Sequence, residues 1–480
     1  MFFKNKSFRQ TIVKNAFWLT FLATIQKGVN FLVVVWIARY LGPGIYGKWA
    51  FALSFAGLFS VFVDFGFSDL MVREVTRDKT RTARYIDNIV AMKLVLSMIA
   101  LGAIAVLIRI MGKDPEIIQL AYFLGLYAMI NTFATFFQAV FRANEDMQYE
   151  TLCGGVQSLS LLGLVAFFIA AGGGLLCISV AYIISSILGC VLSLMFIWGY
   201  FSRFFVKIDI AVCKDIFRKV WPLGLTYIFI SGYYQIDTVM LSAIKTDIAV
   251  GWYNAGSRFL MFLIIIPSLL QGVFFPSLSL SFVRSREKYA AIFEQFFKYM
   301  LLISIPVCAG MLMLSERMIF CVFGSEFSRS AAVLQILVWS FLFASIGGVF
   351  GSVLNSSNRQ LTLAKITGAA FCVNIILNLL LIPKYSYIGA SAATNITRFL
   401  VVAAEFAVLM EMGLKPWGHK YFRISLKITM ATVVMGLFIK LAKDFNLMLV
   451  ISVSALIYSA CIFAVKGLNE IDMKLKGIEQ

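Results

Sequence analysis

The chain has 480 residues, of which 61% are hydrophobic and only 14% charged. Soluble domains run near 45–50% apolar and about 25% charged, and single cores stop growing at roughly 250–300 residues, so the surplus apolar surface needs lipid as its solvent. The same figures exclude a disordered chain, a collagen-like repeat and a disulfide scaffold.

Formal net charge is +18, from 42 Lys+Arg against 24 Asp+Glu. In a soluble protein that excess would point to nucleic acid. In a membrane protein it is what the positive-inside rule places on cytoplasmic loops, and no nucleic-acid partner is expected. The eight cysteines are scattered, mostly within apolar stretches and without a CxxC pair, and read as reduced packing residues. A single histidine, His419, in a basic loop gives no basis for a zinc site.

About 20 apolar residues cross the hydrocarbon. The basic start, with Lys4, Lys6, Arg9 and Lys14, leads into an apolar run long enough to span, which reads as a retained first helix and not a cleaved signal. In chain order the apolar runs give fourteen expected spans: 16–38, 45–68, 86–110, 117–141, 150–171, 175–200, 220–244, 250–276, 296–314, 331–354, 361–382, 389–411, 424–442 and 447–465. With the N-terminus inside, the inner segments collect Arg73, Arg77, Lys79, Arg81 and Arg84, then Arg203, Lys207, Lys214, Arg218 and Lys219, then Arg284, Arg286 and Lys288, then Lys415, Lys420 and Arg423, and finally Lys466, Lys474 and Lys476. The outer loops hold Lys113, Lys245, Arg317, Arg329, Lys384 and Lys443. That asymmetry places both termini in the cytoplasm. No connection exceeds about 20 residues, which leaves no room for a soluble domain.

Two internal echoes divide the chain. Ile45-Tyr46-Gly47-Lys48-Trp49-Ala50 opens span 2 as Ala249-Val250-Gly251-Trp252-Tyr253-Asn254 opens span 8, and Ala139–Asn144 closes span 4 as Ser352–Ser357 closes span 10. Both pairs lie about six helices apart, the mark of carriers built from repeats around a central site. The expected organisation is an all-α integral membrane protein: an N-terminal lobe over 1–205, a C-terminal lobe over 206–415, and two added helices with a cytoplasmic tail over 416–480.

Charges at mid-bilayer are expensive, about 2.5–3.5 kcal/mol on insertion scales, and normally face a cavity or a partner. Thr20, Thr24 and Lys27 share one face of span 1, with Lys27 roughly 18 Å from the inner end at 1.5 Å per residue. Span 3 adds Lys93, and span 4 carries Asn131, Thr135, Gln138 and Arg142 in one line. Span 8 offers Asn254, Ser257, Arg258, Ser268 and Gln271 with Pro267 as a kink, and span 12 offers Ser391, Asn395, Arg398 and Glu405. One reading is a water-filled lumen with cationic walls suited to phosphate or carboxylate. The other is pairing, Arg258 with Asp237 and Arg398 with Glu405, while Lys93, Arg39 and Lys48 snorkel to an interface. Nearer the outer ends, Asp237, Asn374, Asn378 and Thr394 offer oxygens at similar depth, a set that holds Na⁺ or a proton, or else bridges helices.

Ala38-Arg39-Tyr40-Leu41-Gly42-Pro43 with Tyr46-Gly47, then Asp64-Phe65-Gly66-Phe67 and Val72-Arg73-Glu74, resembles the polysaccharide transporter family, the O-antigen flippases of the multidrug/oligosaccharidyl-lipid/polysaccharide exporter superfamily. Val250–Ala255 and Ile382-Pro383-Lys384-Tyr385 with Ile388–Thr394 agree, so the resemblance runs along essentially the whole chain. It implies a V-shaped carrier in the cell membrane, with no enzymatic activity and no cofactor. The cargo it implies is polyprenyl-diphosphate-linked oligosaccharide, moved from the inner to the outer leaflet, in company with membrane lipid and other polysaccharide-assembly membrane proteins. By helix and depth it implies that Lys27, Lys48 and Arg258 meet the diphosphate, and the polar stripes add Lys93, Arg142 and Arg398 as further cations. It also implies a coupling-ion site at Asp237, Asn374, Asn378 and Thr394, where Asn378 replaces an expected acid, and a lipid-tail groove along the last two helices. The competing readings are a drug exporter of the same superfamily, which would want acids where this chain has bases, and a membrane glycosyltransferase or polymerase, which needs larger outer loops.

Overall fold

The computed structural model describes residues 8–200, 208–414 and 419–465. Lys4, Lys6, Arg203, Lys207, Lys415, Lys466, Lys474 and Lys476 lie outside the described residues, as do the side chains of Arg9, Lys14, Thr20, His419 and Lys420. Most of the described residues are helical, and no strand occurs among them. They form two compact units, 1–251 and 252–480.

The first unit contains α1 (Phe8–Asp64), α2 (Phe67–Arg77), α3 (Thr82–Ile110), α4 (Pro115–Ala143), α5 (Met147–Ala170), α6 (Leu175–Tyr200), α7 (Ile210–Ile244) and the start of α8 (Asp247–Leu263). The second contains the rest of α8, α9 (Ile265–Arg284), α10 (Arg286–Phe323), α11 (Ser330–Ser356), α12 (Gln360–Glu411), α13 (His419–Leu441) and α14 (Leu447–Ala464). Eleven described helical stretches are long and apolar enough to cross a membrane. Two of these, of 54 and 52 residues, each take in two of the expected spans. α7 falls outside the eleven; its second half carries Tyr233, Tyr234, Gln235 and Asp237 within five residues.

Backbone breaks set where the long runs turn. A straight 57-residue α1 would measure about 85 Å, nearly three hydrocarbon thicknesses. It bends at Gly42 (φ 71°, ψ 170°), just before Pro43, where only glycine takes that conformation at little cost. α12, 52 residues long, breaks at Ser386 (φ 54°, ψ −133°), three residues after Pro383. The expected kink of span 8 is found one turn before Pro267: α8 stops at Leu263, whose carbonyl is the one the proline ring leaves without an amide donor.

α2 is a short helix that lies between the second and third expected spans. Phe67, Leu70, Met71 and Val75 recur at i, i+3, i+4 and i+8, and all four are buried. They join Tyr85, Ile86 and Ile89 of α3, Phe136, Phe137 and Val140 of α4, and Ile216 and Val220 of α7 in one core. In the second unit, Phe293, Phe296 and Phe297 of α10 pack with Phe350 and Leu354 of α11, Leu409 of α12, Ile424 and Ile428 of α13 and Ile462 of α14. The last two helices are thus anchored on α10.

Each echo motif sets a tryptophan against a tyrosine, at different steps of the motif. Trp49 meets Tyr182 of α6 with centroids 5.5 Å apart and the rings tilted by 59°, and in the second unit Trp252, one step earlier in its motif, meets Tyr387 of α12 edge-on at 5.5 Å. The glycines of the two motifs meet reciprocally. A Cβ on Gly47 would fall 1.8 Å from the carbonyl oxygen of Asp247, and one on Gly251 would fall 2.0 Å from that of Pro43. Pro43 and Asp247 each lie four residues before the glycine of their own motif, so contact i to j is matched by j to i, as in an isologous interface.

α7 begins on a polar latch. The Asp209 carboxylate accepts from the amides of Ala211 at 3.0 Å and Val212 at 3.3 Å, Arg84 donates to it at 2.9 Å, and its own amide donates to Asn88 at 2.9 Å.

Two measurements check this geometry. Gly47→Ala and Gly251→Ala should each destabilise the protein by about 1–3 kcal/mol or more, because backbone must move. Gly163→Ala, whose Cβ meets nothing within 4 Å, should leave the melting temperature in detergent unchanged or raised. At Asp209, the Arg84 hydrogen bond first and the helix amides second hold the carboxyl below the usual carboxylate range. Its support for α7 is therefore complete above that range and lost as pH falls through the depressed value. The protection of the Ala211 and Val212 amides from hydrogen exchange, relative to the intrinsic rate at each pH, should fall at acid pH in wild type, and at all pH values in Asp209→Ala.

Candidate functional site

Six candidate cations fall in described segments, and their surroundings differ. In the first unit, three are closed by carboxylates. Lys48 donates to Glu116 at 2.6 Å. Lys93, with no exposed side-chain surface, donates to Asp64 at 2.9 Å and lies 5.7 and 5.6 Å from the ring centres of Phe133 and Phe136. Asp64 also accepts from Ser68 at 2.8 Å. Arg142 forks onto Glu150, with Nε donating to Oε2 at 3.2 Å and Nη2 donating to Oε1. Lys27 is the exception: it is partly buried on the first half of α1 and makes no ion pair among the described residues.

Sequence position alone did not disclose these partners. Lys93 and Asp64 sit on different helices, 29 residues apart, and Lys48 and Glu116 are 68 apart. The signal that was present is local: Arg142 and Glu150 flank the short turn between α4 and α5, only 8 residues apart.

In the second unit, Arg258 lies on α8 with its guanidinium largely unengaged. Its Nε has no hydrogen-bond partner, and Nη1 lies 3.7 Å from the Met261 sulfur. A guanidinium offers five donors in a planar fork suited to a phosphate or carboxylate. Arg398 lies on α12, two turns before the buried Glu405, on which its field acts. One turn before Arg398, Asn395 is tied to α11, donating to the Ile336 carbonyl at 2.5 Å and accepting from Ser340.

The oxygen set is divided between the units. Asp237 is buried on α7 in the first unit. Asn374 and Asn378 are both 0% exposed on the first half of α12, and Asn378 Nδ2 donates to Asn374 Oδ1 at 3.0 Å. Asn374 Nδ2 has no partner, and Thr394 donates to the Ala390 carbonyl at 3.1 Å. The Asn374 oxygen thus already carries one donor. Among the described residues no group of three or more His, Cys, Asp or Glu gathers as for a metal ion.

Outside the candidate set, Lys113 closes the turn between α3 and α4. It donates to the carbonyl and hydroxyl of Ser242, at 2.5 and 3.0 Å, and lies 5.1 Å over the Phe51 ring. An ammonium at the C-terminal turn of α7 satisfies carbonyls that the helix leaves open.

The comparisons agree with this fold. Residues 12–282 match the family model described as polysaccharide biosynthesis protein, and residues 222–380 match the MatE model. Among named relatives, the probable low-salt glycan biosynthesis flippase Agl15 of Haloferax volcanii is 25% identical over 78% of this chain and 79% of its own. The capsular polysaccharide biosynthesis protein CapF of Staphylococcus aureus is 24% identical over 82% and 98%. The putative O-antigen transporter of Shigella flexneri is 22% identical over 80% and 94%. Among solved structures, the lipid II flippase MurJ in an inward closed conformation matches with a TM-score of 0.74 and 15% identity, covering 96% of this chain and 99% of that one. An inward-facing multidrug resistance MATE transporter matches at 0.64 and 17%, covering 81% and 95%.

The Lys93–Asp64 pair makes a stability test. Removing one partner of a buried pair strands the other charge and costs about 3–5 kcal/mol, whereas replacing both with apolar groups is often close to neutral. Lys93→Met should therefore lower the melting temperature far more than the double change Lys93→Met with Asp64→Leu, in a thermal-shift series.

Proposed function

Since the chain belongs to the polysaccharide biosynthesis protein family, a family of membrane transporters and not enzymes, we propose that it flips a polyprenyl-diphosphate-linked oligosaccharide from the inner to the outer leaflet. It does so by alternating access through a cationic lumen. The observation that carries this reading is the contrast between cations: Lys48, Lys93 and Arg142 are closed by carboxylates, whereas Lys27 and the fork of Arg258 are not. A cation kept without a carboxylate in a membrane span is costly unless a ligand or water meets it. The names of the glycan-assembly relatives support the cargo class.

In this mechanism the prenyl tail stays in lipid while the diphosphate and sugars enter the lumen. Lys27, Arg258 and Arg398 meet the diphosphate. Lys48, Lys93 and Arg142 act with less effect, because the anion would first have to displace Glu116, Asp64 and Glu150 from them. Asp237, with Asn374, Asn378 and Thr394, takes the coupling ion, Na⁺ or a proton. Both termini are cytoplasmic. With the interior negative, each uncompensated anionic charge moving outward gains about 2.3 kcal/mol per 100 mV, so potential and ion gradient drive the cycle together.

The MatE match favours one alternative, a drug exporter. Cationic drugs call for acids in the lumen, and Lys27 and Arg258, the candidates left without a carboxylate, are bases.

The test is headgroup translocation of a fluorescent prenyl-diphosphate oligosaccharide in proteoliposomes. A charge-assisted contact worth about 1.5–3 kcal/mol predicts that Lys27→Ala and Arg258→Ala each cut transport by about tenfold or more, with folding intact. Full activity in both would show that these charges are structural. Transport that survives collapse of both the potential and the ion gradients would remove the coupling.

A further inference from the structure

Glu405 belongs to neither the cationic set nor the oxygen set. It lies six residues before the end of α12 at Glu411, is 3% exposed, and its Oε2 has no hydrogen-bond partner. What receives it is a cradle made of missing side chains on α11. A Cβ on Gly347 would stand 3.1 Å from Oε2, and one on Gly351 would stand 3.8 Å from Oε1. Beside them Gly348 makes room for the Gln271 amide of α9, whose Nε2 would be 2.3 Å from a Cβ there. Three glycines within five residues weaken a helix; here they admit a carboxyl group that bulkier residues would expel.

The chemistry of that cradle selects its ligand. A buried carboxylate without a donor is strongly disfavoured, whereas the neutral acid is not. A hard metal cation needs about six or more oxygens, and what the cradle presents is glycine backbone with the Val402 methyl close by and a single side-chain amide, Gln271, beside it. A proton needs one oxygen. We infer that Glu405 is a proton-binding site of the second unit, occupied while its carboxyl rests in the Gly347–Gly351 cradle and vacated when α12 leaves it.

The charged surroundings are few. α11 and α14 bring no acidic or basic side chain, and α9 brings Arg284 at its end. α10, whose Phe293 and Phe297 reach the Phe350 ring beside the cradle, carries Glu294 and Lys298, paired with each other at 2.9 Å, with Arg286, Glu287 and Lys288 at its start and Glu316 and Arg317 near its end. α13 carries Arg423, Lys427 and Lys440. On α12 itself Arg398, two turns before Glu405, is the cation whose field reaches it.

The site is tested on the full chain in nanodiscs with a hydrophobic carbodiimide, which modifies protonated carboxyls in apolar surroundings, read by peptide mass spectrometry across pH. Glu405 should carry the adduct at neutral pH, and the yield should fall about tenfold per pH unit above a midpoint. Arg398→Gln, by removing the nearby cation, should move that midpoint to higher pH. Absence of the adduct at every pH, or a yield indifferent to both pH and Arg398→Gln, would overturn the inference. Glu405→Gln should lose the adduct from its peptide, and if that variant fails to fold, the wild-type and Arg398→Gln profiles still decide. No cargo enters this measurement, so its outcome is separate from that of the flippase reading.

Discussion

Everything in this chain answers to one constraint: in hydrocarbon, every peptide group must find its hydrogen bond within the protein. Helices meet it without help, so the informative positions are those where a helix stops, bends or is approached. Gly42 and Ser386 take the conformations that let two very long helices turn. Pro267 ends α8 at Leu263 by removing an amide, and Asp209 replaces with its carboxylate the carbonyl that the first amides of α7 lack. Glycines at 47 and 251 then allow two backbones to approach more closely than side chains permit.

Charge obeys the same economy of satisfaction. The first unit keeps Lys93 wholly buried because Asp64 and two phenylalanine faces surround it. It keeps Arg142 at the end of α4 because Glu150, itself buried, answers it. Such pairs fix helices in place and leave little for a ligand. Arg258 differs in kind: its donors are held within a helix that otherwise offers them only a thioether. The distinction between a structural cation and an available one is thus drawn by the neighbouring acid and not by depth.

Much of this was legible in the sequence, for identifiable reasons. Apolar runs and loop cations fix helices because their signal is local and repeated. The echo of Tyr46-Gly47 in Val250-Gly251 disclosed a shared turn, and the structure adds that the two glycines meet. α2 was equally visible in the spacing of Phe67, Leu70, Met71 and Val75, but a reading tuned to twenty-residue spans passes over eleven residues. The partners of Lys48 and Lys93 were not legible, because ion pairs between helices depend on rotation about each helix axis. Periodicity gives a helix its faces and leaves the neighbour of each face open. The cradle of Glu405 was hidden for the same reason: Gly347 and Gly351 read as a small-residue stripe until the side chain seated on it is known.

The reciprocal meeting of Gly47 with Asp247 and of Gly251 with Pro43 bears on how such a chain can diverge. If the two motifs descend from one duplicated segment, each copy became part of the other's environment once they met. A bulkier residue in either copy would collide with the backbone of its counterpart, where no change of side chain makes room. Drift at these positions is therefore barred in both copies at once, while the residues around them are free to specialise. Lys48 turned to an acid and Trp252 to an aromatic and a carbonyl at the same step of the motif.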